Sequence, residues 1–297
     1  MPQAVPRPRL GDDCWILSGP TASGKTALAV SLARRLDAEI VSVDSMAVYR
    51  GLDIGTAKPT PSQRQAVRHH LVDVVGPDEP YSVARWLADA ADAVEGCRSR
   101  SRRVLFVGGT PLYLRALRDG IDPLPGGHPE LRRRLEDELA AVGTLPLHDR
   151  LATVDAAAAA RIHPHDARRI IRALEVAAHG AGPAPGSWRE SPAVEPTFAE
   201  RMMIVDLPRR LLYERIDQRV EEMFSAGLVA EARAVDDAAG IGPTARQAAG
   251  YAEALEVAAG RIDEAEAVRL TQRRTRRLAK RQLTWLRSFR SAVWITA

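Results

Sequence analysis

Cysteine is scarce, with only Cys14 and Cys97 in a chain of 297 residues. Two cysteines make no disulfide framework, and both are expected as buried thiols, Cys14 in the first strand and Cys97 at the end of a helix. No zinc site is expected, because neither cysteine has a partner cysteine or histidine at ligand spacing. Long apolar runs are missing too: none approaches the ~18 residues of a membrane span. Residues 1–9 carry three prolines and two arginines but no apolar signal stretch, so a cytoplasmic protein is expected. There is no internal repeat, only a short alanine run at 156–160.

Acids are absent from 267–290, a stretch with nine cations: Arg269, Arg273, Arg274, Arg276, Arg277, Lys280, Arg281, Arg287 and Arg290. The net charge is only +4, so this clustering is local. A solvated helix face ordinarily mixes signs. The stretch therefore points to a polyanion larger than a nucleotide, with a basic surface lacking any partner as the alternative. A second basic cluster holds Arg161, Arg168, Arg169 and Arg172, with His163 and His165 nearby.

The chain does contain G-x-x-x-x-G-K-S/T at 19–26, between the apolar run 14–17 and a helical pattern through Leu36. Strand, glycine loop and helix form the context that a phosphate-cradling loop requires. The glycines let backbone N–H groups and a helix N-terminus face an anion. Lys25 then reaches the terminal phosphates and Thr26 ligates Mg²⁺.

Further strands are expected at 39–43, 70–75, 103–107 and 201–207, with a short terminal strand at 293–295. Helices are expected from Ser82 to about Cys97, from Thr110 and Pro111 to Gly120, and over 209–226, 228–239, about 247–255 and about 263–289. Alternating elements of this kind imply a parallel sheet with helices on both faces. Residues 129–179 read as purely helical, with Leu131, Leu135 and Leu139 at i, i+4 spacing, N-caps at Asp155 and Asp166, and Gly180 as a C-cap. The Gly/Pro-rich stretches 123–127 and 180–196 flank them as hinges. The fold class is therefore an α/β phosphate-loop core, residues 1–123 and 201–297, with an all-helical insertion at 124–200.

Asp44 directly follows a strand, and ligands of open α/β sheets bind beyond strand carboxyl ends. A carboxylate beside phosphate suggests a metal-linked role or a general base, with a cap for the following residues as the alternative. Gly108-Gly109-Thr110 ends another strand where an ordinary phosphate-loop NTPase places an Mg²⁺-holding aspartate. Thr110 is either a phosphate or substrate contact or a simple N-cap. Trp285 lies on the basic helix with Gln282 a turn before it, and an aromatic or a glutamine there can read a base, with core packing of Trp285 as the alternative.

These motifs, with Ser-Val-Asp-Ser at 42–45, Asp-Ile-Gly-Thr-Ala-Lys-Pro at 53–59, Arg-Ile-His-Pro at 161–164, Arg-Ala-Leu-Glu at 172–175, Gly-Tyr at 250–251 and Ala-Lys-Arg-Gln-Leu-Thr-Trp-Leu-Arg at 279–287, run in order over nearly the whole chain. The chain resembles the bacterial tRNA dimethylallyltransferase family. The resemblance implies transfer of a dimethylallyl group from dimethylallyl diphosphate to N6 of the adenosine 3′ to the anticodon, in tRNAs reading codons that begin with U. It implies diphosphate binding by Gly19, Thr21, Ala22, Ser23, Gly24, Lys25 and Thr26, with Mg²⁺ on Thr26. It implies catalysis by Asp44, Thr110 and Lys25. It implies that the tRNA anticodon stem-loop meets Asp44, Ser45, Met46, Ala47, Arg168, Arg169, Arg172, Gln247, Lys280, Arg281, Gln282 and Arg287, some members carrying arginine where Gln247 stands. A monomer with no membrane contact is expected. A small-molecule ATP-dependent kinase, an isopentenyltransferase acting on free adenylate and a non-catalytic RNA-binding switch remain as alternatives.

Overall fold

The computed structural model describes residues 5–121, 128–178 and 200–296. These fall into two compact units, one of residues 6–120 with 200–296, the other of Val5, Ile121 and 128–178. The hinge at 123–127, the linker at 180–196 and the Gly180 cap lie outside the described residues.

The larger unit is built on a six-stranded sheet, β1 (Cys14–Ser18), β2 (Ala38–Ser42), β3 (His69–His70), β4 (Arg103–Val107), β5 (Met202–Asp206) and β6 (Val293–Thr296). The order is β3-β2-β4-β1-β5-β6 and every pairing is parallel. The chain leaves β1, skips the β4 position to form β2, and later crosses back over β1 to β5. The carboxyl ends of β1 and β4 are thus the switch point, where such sheets bind ligands. Strands β1, β2 and β4 are almost entirely buried, as expected of parallel strands covered on both faces.

Helix α1 (Lys25–Leu36) packs Ala29 and Ala33 against Leu17, Ile40, Leu105 and Val205 on one face. On α3 (Val83–Ser99), Trp86 is fully buried, stacks on Tyr113 at 4.4 Å and donates to the Ser42 carbonyl. Tyr113 belongs to α4 (Pro111–Asp119), which Gly120 ends. The short helix α2 (Pro61–Ala66) was not expected, although Thr60, Pro61 and Gln63 spell its capping box.

One strand expectation is corrected. Only His69 and His70 pair with β2; the run 70–75 fails as a strand because Leu71 and Asp73 adopt left-handed φ of 60° and 59°. Val75 makes a lone bridge to Tyr49.

The smaller unit consists of α5 (Pro129–Val142), α6 (Thr144–Val154), α7 (Ala156–Arg161) and α8 (Ala167–Ala178), and no described residue there is in a strand. Asp155 and Asp166 accept from the N–H groups of Ala158 and Arg169, as their N-cap positions require. It has its own core, with Leu135, Leu147, Leu151, Ile170 and Leu174 buried.

After β5 come α9 (Arg209–Ser225), α10 (Leu228–Ala239), α11 (Tyr251–Ala258) and α12 (Glu264–Leu286). The segment expected at 247–255 is divided: a 3-10 turn, Ala245–Gln247, precedes Gly250 at φ 84°, where α11 begins. Helix α12 buries Ala267, Thr271, Thr275, Ala279, Gln282 and Leu286 at i, i+3 and i+4 steps, so its opposite face is left to solvent. No helix among the described residues is long and apolar enough to cross a membrane.

Candidate active site

The loop after β1 turns through Gly19 at φ 157°, Ala22 at φ 62° and Gly24 at φ 85°, then enters α1. Gly24 is the N-cap of α1 and no side chain caps its first N–H groups. Those donors, and the positive end of the helix dipole, face the cleft over the loop. The Ser23 hydroxyl is buried with no hydrogen-bond partner among the described residues. Lys25 Nζ donates to the Pro20 carbonyl at 3.1 Å. Burial lowers its pKa to about 8, Arg219 pushes the same way and Asp44 opposes them. Burial also lowers the pKa of Arg219, again against Asp44. Two partly buried cations beside one loop make the site selective for an anion.

Asp44 stands across the cleft, at the carboxyl end of β2. One of its carboxylate oxygens accepts from the Met46 and Ala47 N–H groups at 2.8 and 3.4 Å. It is thus both a cap of the next turn and a wall of the cleft. Thr110 is the N-cap of α4 by position, but its side chain makes no cap bond. Its hydroxyl accepts from the Ser45 N–H at 3.1 Å, which joins the ends of β2 and β4.

Gly108 and Gly109 explain why no aspartate stands after β4. A Cβ on Gly108 would lie 2.2 Å from the Val43 carbonyl oxygen. One on Gly109 would lie 2.6 Å from the Gly19 carbonyl oxygen and 2.8 Å from Gln282 Nε2. Gln282 is buried, donates to the Gly109 carbonyl at 2.8 Å and accepts from the Thr21 N–H at 2.9 Å. Its amide ties the phosphate loop to the end of β4, which leaves both amide atoms engaged within the protein rather than facing a base.

The cleft has a volume of about 340 Å³, within the range of small-ligand sites. Lys25, Thr26, Asp44, Thr110 and Arg219 line it, and Ile216, Val220, Met223 and Leu278 give it an apolar wall. Met46, Ala47, Gln247 and Arg281 stand at the same cleft. Gln247 is exposed and donates to the Pro243 carbonyl at 3.2 Å.

The basic helix is sorted by the structure into two sets. Arg269, Arg274 and Arg276 form ion pairs with Glu266, Glu253 and Asp217. Arg273, Arg277, Lys280, Arg281 and Arg287 are exposed, lie along one face of α12 and have no ion pair among the described residues. Trp285 is half-buried, with the Arg115 guanidinium 5.8 Å from its ring centre. In the smaller unit Arg168 and Arg169 are exposed, Arg169 pairing with Asp166. Arg172 instead leans on the fully buried Glu175, which Arg132 also clasps through both oxygens.

Sequence reasoning missed several members of the site. Arg219 is one of four arginines on α9 and nothing in its spacing marks it. Glu231 accepts from the Asp53 and Ile54 N–H groups, while the Tyr251 hydroxyl donates to Glu231 and accepts from the Gly55 N–H. This clamp explains the 53–59 and Gly-Tyr motifs. Lys58 is buried beneath it, bonded to the Tyr49 carbonyl, Asp53 and Asp73.

A parallel sheet with a glycine loop at its switch point, partly buried cations over that loop and a carboxylate facing them define a phosphate-loop α/β protein with an anion-binding cleft. The chain belongs to the IPP transferase family, whose model matches residues 47–289. An isopentenyl transferase model also matches residues 13–75. The chain is 50% identical over 280 residues to the tRNA dimethylallyltransferase of Anaeromyxobacter sp. (strain Fw109-5), covering 94% of this chain and 93% of that protein. It is similar to the crystal structure of the full-length tRNA isopentenylpyrophosphate transferase from Bacillus halodurans, with 36% identity, a TM-score of 0.67 and coverage of 96% and 90%. A eukaryotic dimethylallyltransferase acting on tRNA shares the fold, with a TM-score of 0.75 at 24% identity over 95% of this chain and 73% of that one.

Proposed function

We propose that this protein transfers the dimethylallyl group of dimethylallyl diphosphate to N6 of the adenosine 3′ to the anticodon in tRNAs reading codons that begin with U. The observation that carries the reading is one cleft where the partly buried Lys25 and Arg219 face Asp44 beside an apolar wall. The loop N–H groups, Lys25 and Arg219 hold the diphosphate and stabilise the charge that develops on it as the allylic C–O bond breaks. Ile216, Val220, Met223 and Leu278 enclose the prenyl carbons and exclude water. As the N6–C bond forms, Asp44 accepts the N6 proton and diphosphate leaves. Thr110, held by Ser45, orients the diphosphate or the adenine edge. The adenosine must leave its stack to enter the cleft, which is cheapest in a loop.

The Thr26 hydroxyl is a hard oxygen donor on this cleft, and a single protein donor suits an ion that keeps most of its waters, which fits Mg²⁺. Bound there, Mg²⁺ would neutralise diphosphate charge. The exposed cations of α12, with Arg168 and Arg169, supply the grip on the anticodon stem-loop.

Labelled dimethylallyl diphosphate, offered with unmodified tRNA or with AMP, tests the reading. Label is expected in tRNA alone. Label in AMP alone points to the free-nucleotide reaction, and label in neither rejects prenyl transfer.

The lowered pKa of Lys25 sets a pH dependence. A bound anion favours the charged amine, so its pKa rises in the complex. Below about pH 8 the amine is already protonated and adds no pH dependence of its own; above it, binding must take up a proton. Affinity for inorganic diphosphate should therefore fall about tenfold per pH unit above that point. Lys25→Arg should remove this fall in calorimetric titrations; an identical fall in the variant would assign it to another group.

Binding of tRNA should weaken steeply with salt. Roughly three to five phosphate contacts give a slope of about −2 to −4 in log affinity against log salt. Alanine at both Lys280 and Arg281 should make it shallower by about one to two. An unchanged slope in filter binding would place the grip elsewhere.

A further inference from the structure

Near the amino end of β2, far from Asp44 along that strand, three donor side chains meet. Glu39 and Cys97 are buried and His70 is nearly so. His70 Nε2 lies 2.6 Å from Glu39 Oε2, and Cys97 Sγ lies 3.4 Å from Glu39 Oε2 and 3.6 Å from His70 Nε2. No other group among the described residues brings three such donors together. They come from β2, β3 and α3, 31 and 27 positions apart, so no ligand spacing announces them.

We propose that Glu39, His70 and Cys97 form a binding site for a zinc-class divalent metal ion that staples α3 to the edge of the sheet. The geometry carries this. A tetrahedral zinc ion has bonds of about 2.3 Å to sulfur and about 2.0 Å to nitrogen and oxygen, which places its ligands about 3.6 Å (S to N), 3.5 Å (S to O) and 3.3 Å (N to O) apart. Two of the three edges already have these lengths, and the third opens by about 0.7 Å when the metal replaces the His70–Glu39 hydrogen bond. Arg100 donates to Glu39 Oε1 at 3.0 Å as well as to Oε2 at 2.7 Å, so it retains Oε1 as the outer partner that fixes the carboxylate. Water completes the fourth position, reached past the His70 ring, which is 15% exposed. Burial and Glu39 raise the Cys97 thiol to about pKa 12, so the metal must displace its proton: Cys97–SH and M²⁺ give Cys97–S–M⁺ and H⁺. The thiolate and the carboxylate then balance the divalent charge. A thiolate selects zinc or cobalt over magnesium, which separates this site from the phosphate loop.

Cobalt(II) titration of the chelator-treated full chain tests the site. One equivalent should bind with a thiolate-to-cobalt charge-transfer band and the intense visible bands of tetrahedral cobalt, and zinc should bleach both. Cys14→Ser should retain the band, which assigns it to Cys97 without disturbing the cluster. Cys97→Ser should abolish it, and His70→Gln should weaken binding by ~100-fold or more. Octahedral cobalt without the band, loss of the band in Cys14→Ser, or undiminished binding in a folded Cys97→Ser would each overturn the proposal. Prenyl transfer uses none of these residues, so that reading stands or falls separately.

Discussion

Asp44→Asn is expected to lower kcat by about 10²–10⁴, the range that a positioned general base contributes. The substitution is well suited to this site. The Asp44 oxygen accepts from the Met46 and Ala47 N–H groups, and an asparagine carbonyl oxygen accepts both bonds equally well. The 44–47 turn should therefore persist and tRNA affinity should change little. What is lost is the proton acceptor, so the defect should appear in kcat and kcat/KM together. Single-turnover rates at saturating tRNA, beside a binding titration, separate the two effects. A variant that reacts normally once saturated, but binds tRNA poorly, would make Asp44 a recognition residue.

Lys25→Ala should cost about 10²–10³ in turnover, the scale of removing one preorganised donor from a developing anion. Its effect on stability should have the opposite sign. Lys25 has a folded-state pKa of about 8, below its ordinary 10.5, because burial disfavours the ammonium. Below pH 8 the charged amine thus costs the folded state free energy, and its removal relieves that cost. Thermal unfolding at pH 7 should show Tm unchanged or raised, while activity collapses. Full activity would sink the phosphate-loop role, and a large fall in Tm would contradict the burial argument.

Local chemistry determined much of this protein in advance. The glycine loop, the caps at Ser82, Asp155 and Asp166, the Gly120 stop and the periodicity of α9, α10 and α12 are short-range patterns, and each appears in the chain as in the fold. The motif at 53–59, by contrast, has no local logic. Only when Glu231 and Tyr251 arrive, roughly 180–200 residues later, does its backbone acquire partners. The absence of an acid at 267–290 was true of the sequence but not of the surface, since Arg274 and Arg276 find Glu253 and Asp217 on neighbouring helices. Gln282 sits on the basic helix, but its register on α12 turns its amide inward to the loop. Arg219 became part of the site only because α9 lays it over that loop, its guanidinium 3.4 Å from the Thr21 hydroxyl. Helices, caps and glycine turns depend on neighbours three or four positions away and are therefore legible in a sequence. Burial, ion pairing and the meeting of Glu39, His70 and Cys97 depend on which faces pack together, and the tertiary structure alone decided those.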